Sequence, residues 1–432
     1  MKLSIDKVVY GGAGLAHLQS DDSTKEAVFV PFTLPGELVE AEIVDTRAGV
    51  RDAVLEQVLT PSSDRVAPRC IHFGVCGGCQ YQHASYEAQL RLKQNILQET
   101  LERAGLNSIP EIQVHAAQPW EYRNRIRLRV AKVDGELRVG YLRRGSTEFL
   151  PIQMCPIAAP LLWRAAEAFL QLARRFQPWT DSAEEIEFFT SGDEKKLQMQ
   201  LFVRSQPAKG FKEFCEALRE QLPELTGAGV QIMQSSVRGR KSLRVQPGVS
   251  WGAAGLNYAA MDETYWVSRG SFFQVNRFMV APLIELVTAV RSGTLAWDLY
   301  AGVGLFSRFL AKRFTNVVAV EAAAGDLDVN FRGTGKRAVT ATTIEFLRQA
   351  AIERDRPDLI VMDPPRAGVG AEVCALLARV KAKELVYVSC DPATLGRDLR
   401  AMVDSGYALN QLHLVDMFPQ TFHQETVAVL GR

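Results

Sequence analysis

The hydrophobic pattern changes character twice along the chain. Residues 1–62 carry short apolar runs separated by turn residues. Val8–Tyr10 leads into Gly11-Gly12-Ala13-Gly14, and Ala27–Val30, Pro35-Gly36 and Leu38–Val44 follow. This spacing predicts a small N-terminal β-barrel. Pro61-Ser-Ser-Asp64 reads as a linker. From Tyr86 to about residue 105, apolar side chains recur at helical spacing. Residues 120–260 read as α+β with several hairpins, so 63–275 forms a central domain. From 276 to 432 strands and helices alternate: Thr294–Leu299, Val317–Glu321, Asp358–Asp363 and Glu384–Cys390 each precede a helical segment. Near-continuous apolar strands of this kind predict an α/β fold with a parallel sheet covered on both faces. Leu412–Phe418 and Glu425–Leu430, joined by a short loop, close the chain as an antiparallel hairpin.

Composition narrows the function. The 432 residues are 47% hydrophobic and 23% charged, and 50 Lys and Arg against 49 Asp and Glu leave a net charge of +1. Such a balance excludes binding through bulk charge, so any nucleic acid must be held by a local basic face. Arg123, Arg125, Arg127 and Arg129 alternate with Asn124, Ile126, Leu128 and Val130. In a strand they share one face, and with little acid nearby in sequence they predict an RNA phosphate backbone as partner. Arg138, Arg143 and Arg144 in the next hairpin extend this face, while Arg238, Arg240, Lys241 and Arg244 form a second patch. Phe73 and Tyr81 are candidates for stacking on unpaired bases. No apolar run reaches the roughly 18 residues a membrane helix needs. Met1-Lys-Leu-Ser-Ile-Asp lacks a signal-peptide core. A cytoplasmic protein with no membrane contact and no obligate protein partner is expected.

Seven cysteines in a reducing compartment are better read as ligands, a nucleophile or core thiols than as disulfides. Cys215 and Cys374 fall within helical segments and read as core. Cys70-x5-Cys76-Gly-Gly-Cys79, with Cys155-Pro156 far downstream, has the spacing of a metal site, zinc and [4Fe–4S] being equally compatible. Asp298-Leu-Tyr300-Ala-Gly302-Val-Gly304 marks a strand-to-helix turn where backbone can approach a ligand, and Glu321 ends the next strand, suited to ribose hydroxyls. Ser307 stands where a pyrophosphate fingerprint would place its last glycine, which favours S-adenosylmethionine over NAD. Asp363-Pro-Pro-Arg366 and Ser389-Cys390-Asp-Pro392 end adjacent strands, and Glu425 begins the last one. A thiol and two carboxylates beside a methyl donor suggest pyrimidine chemistry. Thiolate addition at C6 makes uracil C5 nucleophilic, and a carboxylate then removes the C5 proton.

Phe273-Gln274-Val-Asn276, the Asp298–Gly304 turn, Asp363-Pro-Pro-Arg366, Ser389-Cys390-Asp-Pro392 and His423-Gln-Glu425 resemble, in order, the motifs of the RNA (uracil-5-)-methyltransferase family. The resemblance implies a C-terminal Rossmann-like class I methyltransferase domain that makes 5-methyluridine. It implies Cys390 as nucleophile and Glu425 as base. Gln274, Tyr300, Gly302, Gly304, Glu321 and Asp363 would bind S-adenosylmethionine. Leu305 stands where some members carry a polar residue. Thr342, Thr343 and Glu345 occupy the region where many hold adenine with an acid or amide. The cysteine spacing matches ribosomal-RNA members that carry [4Fe–4S] on the equivalents of Cys70, Cys76, Cys79 and Cys155. Tyr122-Arg123-Asn124-Arg125 matches a family motif, and the N-terminal barrel resembles the TRAM domain, an OB-like RNA-binding module. The substrate implied is 23S rRNA, with the tRNA T-loop as the near alternative; a base amino-group methyltransferase, for which Asp363-Pro-Pro would be the substrate motif, is the remoter reading.

Overall fold

A computed structural model describes residues 1–19, 25–47, 49–177, 179–206, 209–234, 244–323 and 325–432. Arg238, Arg240 and Lys241 of the second basic patch lie outside them. The first sheet has six strands, and Lys2–Val8 supplies two of them. Its first half pairs with Leu38–Glu40 and its second half with Gly14–Leu15, so both edges of the sheet meet in one segment. The alternate inward residues Leu3, Ile5, Ala16, Val28, Val30, Val39, Ala41 and Ala53 form a single apolar core inside this curl.

The second sheet has seven strands, in the spatial order Phe149–Pro151, Glu136–Leu142, Arg125–Val133, Ala183–Thr190, Leu197–Val203, Leu225–Gln234, Arg244–Gly252. Helices Pro160–Ala173 and Phe211–Gln221 share its apolar core with Cys215, which is fully buried. Tyr81, a candidate for stacking on RNA bases, is 1% exposed and packs against Val8 and Leu34. That expectation is corrected: the apolar seam between the first sheet and helix Tyr86–Arg103 claims the ring.

The third sheet holds β1 (Ile112–His115), β2 (Gly293–Leu299), β3 (Phe314–Glu321), β4 (Arg337–Thr340), β5 (Leu359–Met362), β6 (Glu384–Ser389), β7 (Ala408–Val415) and β8 (Glu425–Gly431). Their spatial order is β4-β3-β2-β5-β6-β8-β7-β1. The order reverses at β2 and β5, which are parallel neighbours, and ligands in such sheets bind at the carboxyl edge of that reversal. β8 runs antiparallel to β6, with Ser389 opposite Thr426. One member of the sheet was not legible in sequence: β1 is four residues long, comes from the stretch read as central domain, and pairs in parallel with β7. No helix among the described residues is long and apolar enough to cross a membrane.

Candidate active site

The loop after β2 is built for close approach. Tyr300 adopts φ +63°, and Gly302 and Gly304 follow at +56° and +84°. A left-handed Tyr costs about 1–3 kcal/mol, and such strain concentrates at functional sites. Gly302 donates its N–H to Glu321 Oε2 at 2.9 Å, while Ala323 donates to Oε1 at 3.1 Å. The acid ending β3 is therefore aimed across the loop by two backbone amides. Asp298 is fully buried at the end of β2, where Ser307 Oγ donates to it. Burial, with Glu321 adding to it, pushes its carboxyl up to about 7.

Beyond the strand ends opens a cavity of about 970 Å³. Gln274, Tyr300, Gly302, Glu321, Asp363, Cys390 and Glu425 all line it. Gly304 does not. A Cβ there would stand 3.1 Å from Leu327, so this glycine serves the turn and the packing behind the loop. Thr342 and Thr343 line the cavity as well, whereas Glu345 turns back to cap its own helix, accepting from Thr342 N at 3.0 Å.

Cys390 directly follows β6, Asp363 directly follows β5, and Glu425 opens β8 beside β6. Burial pushes Asp363 up to about 7, with Asp298 contributing. Burial and Asp363 raise Glu425 well above the usual carboxylate range. Burial, then Glu425 and Asp363, push the Cys390 thiol up to about 11, while Arg366 works in the other direction. The pocket thus gathers three acidic groups, Asp363, Glu425 and Cys390, whose neutral forms burial favours. Gln274 Nε2 reaches Asp363 Oδ2 at 3.3 Å. Its backbone is fixed from Asn124, whose Nδ2 donates to Gln274 O at 2.9 Å and whose N–H donates to Val275 O at 2.9 Å.

A sequence comparison decides the family. The tRNA (Uracil-5-)-methyltransferase family matches residues 85–356 and 337–432. The chain belongs to this family. It is therefore an RNA methyltransferase acting at uracil C5. An RNA methyltransferase of Aquifex aeolicus (strain VF5) is 32% identical over 446 residues, spanning 100% of this chain and 98% of its own. The 23S rRNA (uracil(1939)-C(5))-methyltransferase RlmD of Alkalilimnicola ehrlichii is 32% identical over 454 residues, spanning 100% and 96%. The crystal structure of Pyrococcus abyssi tRNA (uracil-54, C5)-methyltransferase with S-adenosyl-L-homocysteine superposes with a TM-score of 0.76 at 22% identity, over 100% of both chains, and shares the fold.

Two further residues of the methyltransferase, one in the cavity wall and one beside it, were not singled out in sequence. Phe272 lines the cavity yet is 71% exposed, an unusual state for a large apolar ring. Tyr10, from the first sheet, sets its ring edge-on to Phe422 at 5.3 Å and its hydroxyl 3.4 Å from Asp391 Oδ2. Phe272 had a readable signal, a second aromatic before Gln274. Tyr10 had none, because its partners lie hundreds of residues away.

Cys70, Cys76, Cys79 and Cys155 line a second, smaller cavity of about 90 Å³, with Arg123 and Tyr141 in its wall. Among the described residues no three His, Cys, Asp or Glu converge as ligands for a metal ion. The arginine face needs correction. Arg125, Arg127 and Arg129 share one side of their strand, but Ala183–Thr190 beside it supplies acids: Glu187 stands 3.6 Å from Arg125, and Glu185 pairs with both Arg127 and Arg129. Arg125 and Arg127 also lie over the rings of Phe189 and Phe202. Nearness in sequence had hidden acids that sit across the ladder. Arg138 likewise pairs with Glu136, and Arg143 with Glu148.

Proposed function

We propose that the chain transfers a methyl group from S-adenosylmethionine to C5 of a uridine in 23S rRNA, with Cys390 as nucleophile and Glu425 as base. The observation that carries this is the meeting of Cys390, Asp363 and Glu425 in one cavity wall beside the Tyr300–Gly302 loop. Glu321 would take the ribose, Gln274 and Asp363 the donor end, and Thr342 or Thr343 the adenine side. S-adenosylmethionine supplies the methyl on a positively charged sulfur. Cys390 gives up its thiol proton to solvent, its thiolate Sγ adds to C6, and the electron pair gathered at C5 takes the methyl from the sulfonium. Glu425 removes the C5 proton, the C6–S bond breaks, and the thiolate is restored. The products are 5-methyluridine, S-adenosylhomocysteine and one proton. Phe272 offers a face for the extruded base to stack on.

The domain reading is 1–62 as a TRAM-like RNA clamp, 63–275 as the central unit and 276–432 as the methyltransferase unit. The closed curl of the first sheet supports its first part. We assign a [4Fe–4S] cluster to Cys70, Cys76, Cys79 and Cys155. The four thiols line one cavity, and Arg123 in its wall would offset a cluster's negative charge. Arg123 precedes the strand and lines the cysteine cavity instead; of the three strand arginines, Arg127 and Arg129, with side chains 49% and 43% exposed, are best placed for phosphate, though Glu185 competes for both.

The test is trapping. With S-adenosylmethionine and 5-fluorouridine-substituted 23S rRNA, a denaturing gel should show a shifted protein–RNA band that Cys390→Ala abolishes. A band with tRNA alone would move the substrate to the T-loop. No band with either RNA, from protein that binds the cofactor, would end the thiolate mechanism.

A further inference from the structure

Residues 416–424 connect β7 to β8. They carry Phe418 and His423 into the large cavity and deliver Glu425 at its edge. At their centre Gln420 is 2% exposed and adopts φ +69°. Its carbonyl accepts the N–H groups of both Gln80 and Tyr81, each at 3.0 Å. Its own N–H donates to Gln89 Oε1 at 3.0 Å, and Gln89 Nε2 donates back to Gln420 Oε1 at 3.0 Å. Phe422 N–H donates to Gln80 Oε1 at 3.4 Å. These partners all lie off the sheet that presents Cys390. Gln80 and Tyr81 immediately follow Cys79, and Gln89 sits on helix Tyr86–Arg103. The loop that brings the base is thus fastened to the cysteine segment, whereas the nucleophile is held by β6.

We propose that Gln420 is a positioning residue through which the cysteine-lined site sets the placement of residues 416–424, and with them of Glu425. The proposal rests on the roles given above to Cys390 and Glu425. It separates the chemistry into halves. Thiolate addition and methyl transfer draw on β5 and β6, which the knot does not touch. Removal of the C5 proton draws on Glu425, three residues beyond Phe422, the last residue the knot holds. With the knot loosened, the methylated adduct forms but its C5–H and C6–S bonds persist.

The experiment uses the full chain carrying Gln89→Leu, with Gln420→Gly as a second variant because glycine accepts φ +69° and keeps the carbonyl. On ordinary uridine RNA, turnover should fall about tenfold, the loss expected from removing buried hydrogen bonds. Covalent protein–RNA adduct should accumulate, while the trapping rate on 5-fluorouridine RNA stays at the wild-type level. Hydrogen exchange gives a readout independent of activity: amides of 417–424 should exchange faster in Gln89→Leu and in Cys79→Ser, with β5 and β6 unchanged. Trapping that falls in step with turnover, or loop exchange unmoved in both variants, overturns the proposal. If the wild-type chain traps no adduct, the thiolate reading fails instead, and the exchange comparison still decides whether the cysteine segment fastens the loop.

Discussion

In the function proposed above, Asp363 is the residue at which cofactor charge and pocket electrostatics meet. Its carboxyl is held up to about 7 by burial and by Asp298. A bound cationic sulfur favours the ionised form, so binding releases a proton. Affinity for S-adenosylmethionine should therefore rise with pH between about 6 and 8, by no more than about tenfold per unit for one proton. S-adenosylhomocysteine, whose sulfur is neutral, should give a flatter profile. Calorimetry of both ligands at three pH values checks this, and parallel profiles would remove Asp363 from the donor end. Phe272 makes a second case. Its ring is mostly in solvent, so Phe272→Ala should leave thermal unfolding unchanged. Loss of a stacked base costs about 1–3 kcal/mol, which lowers kcat/KM for RNA about 5- to 150-fold. At this scale much of the site was readable, because strand-end motifs dictate where a side chain emerges. Gly304 and Glu345 were not, since which neighbour a side chain serves depends on packing: Leu327 claims the space beside Gly304, and Thr342 claims Glu345 as a cap.

Helix Tyr86–Arg103 looks in sequence like part of the central unit, and in the fold it braces the 416–424 loop. Lys93, fully buried, donates to Asp416 Oδ1 at 2.6 Å and to Phe418 O at 2.9 Å. Tyr86 donates to Asp416 Oδ2 at 2.9 Å, and Gln424 Nε2 donates to Lys93 O at 3.2 Å. Removing one partner of a buried ion pair strands the other, at a cost of about 3–5 kcal/mol. Lys93→Met should lose that much in denaturant unfolding, and Lys93→Met with Asp416→Leu should recover most of it. Equal losses in the single and double variants would show that the pair is not the source. The periodicity of the helix was legible, because apolar spacing is local. Its partner was not, because a Lys at a core position reads as a surface residue until Asp416, 323 positions on, is placed beside it. β1 escaped notice for a related reason: four residues carry too little pattern, and its pairing with β7 comes entirely from tertiary structure.

Across the whole molecule, the N-terminal sheet reaches the chemistry through one turn. Asp391 spends Oδ1 capping its helix, accepting from Ala393 and Thr394 N–H groups at 3.1 and 2.9 Å. That leaves Oδ2 facing the Tyr10 hydroxyl at 3.4 Å. The Tyr10 ring meets Phe422, so one side chain touches the Cys390–Asp391 turn and the 416–424 loop together. The turn is seated tightly: a Cβ on Gly12 would stand 2.9 Å from Gln80 Cβ. Lys7 adds a pairing to Glu99 at 2.6 Å, but both partners are over a third exposed, so this contributes little. An edge-to-face pair contributes about 0.5–1.5 kcal/mol, and the long hydroxyl contact contributes less. Tyr10→Ala should then slow methyl transfer up to about tenfold, because two catalytic loops lose a shared wall. Tyr10→Phe keeps the ring and should keep most of the rate. Single-turnover measurements on both variants, beside their thermal unfolding curves, separate this from simple loosening of the sheet. A Phe variant as slow as the Ala variant would assign the effect to the hydroxyl and Asp391, and two variants at the wild-type rate would leave the first sheet no part in methyl transfer.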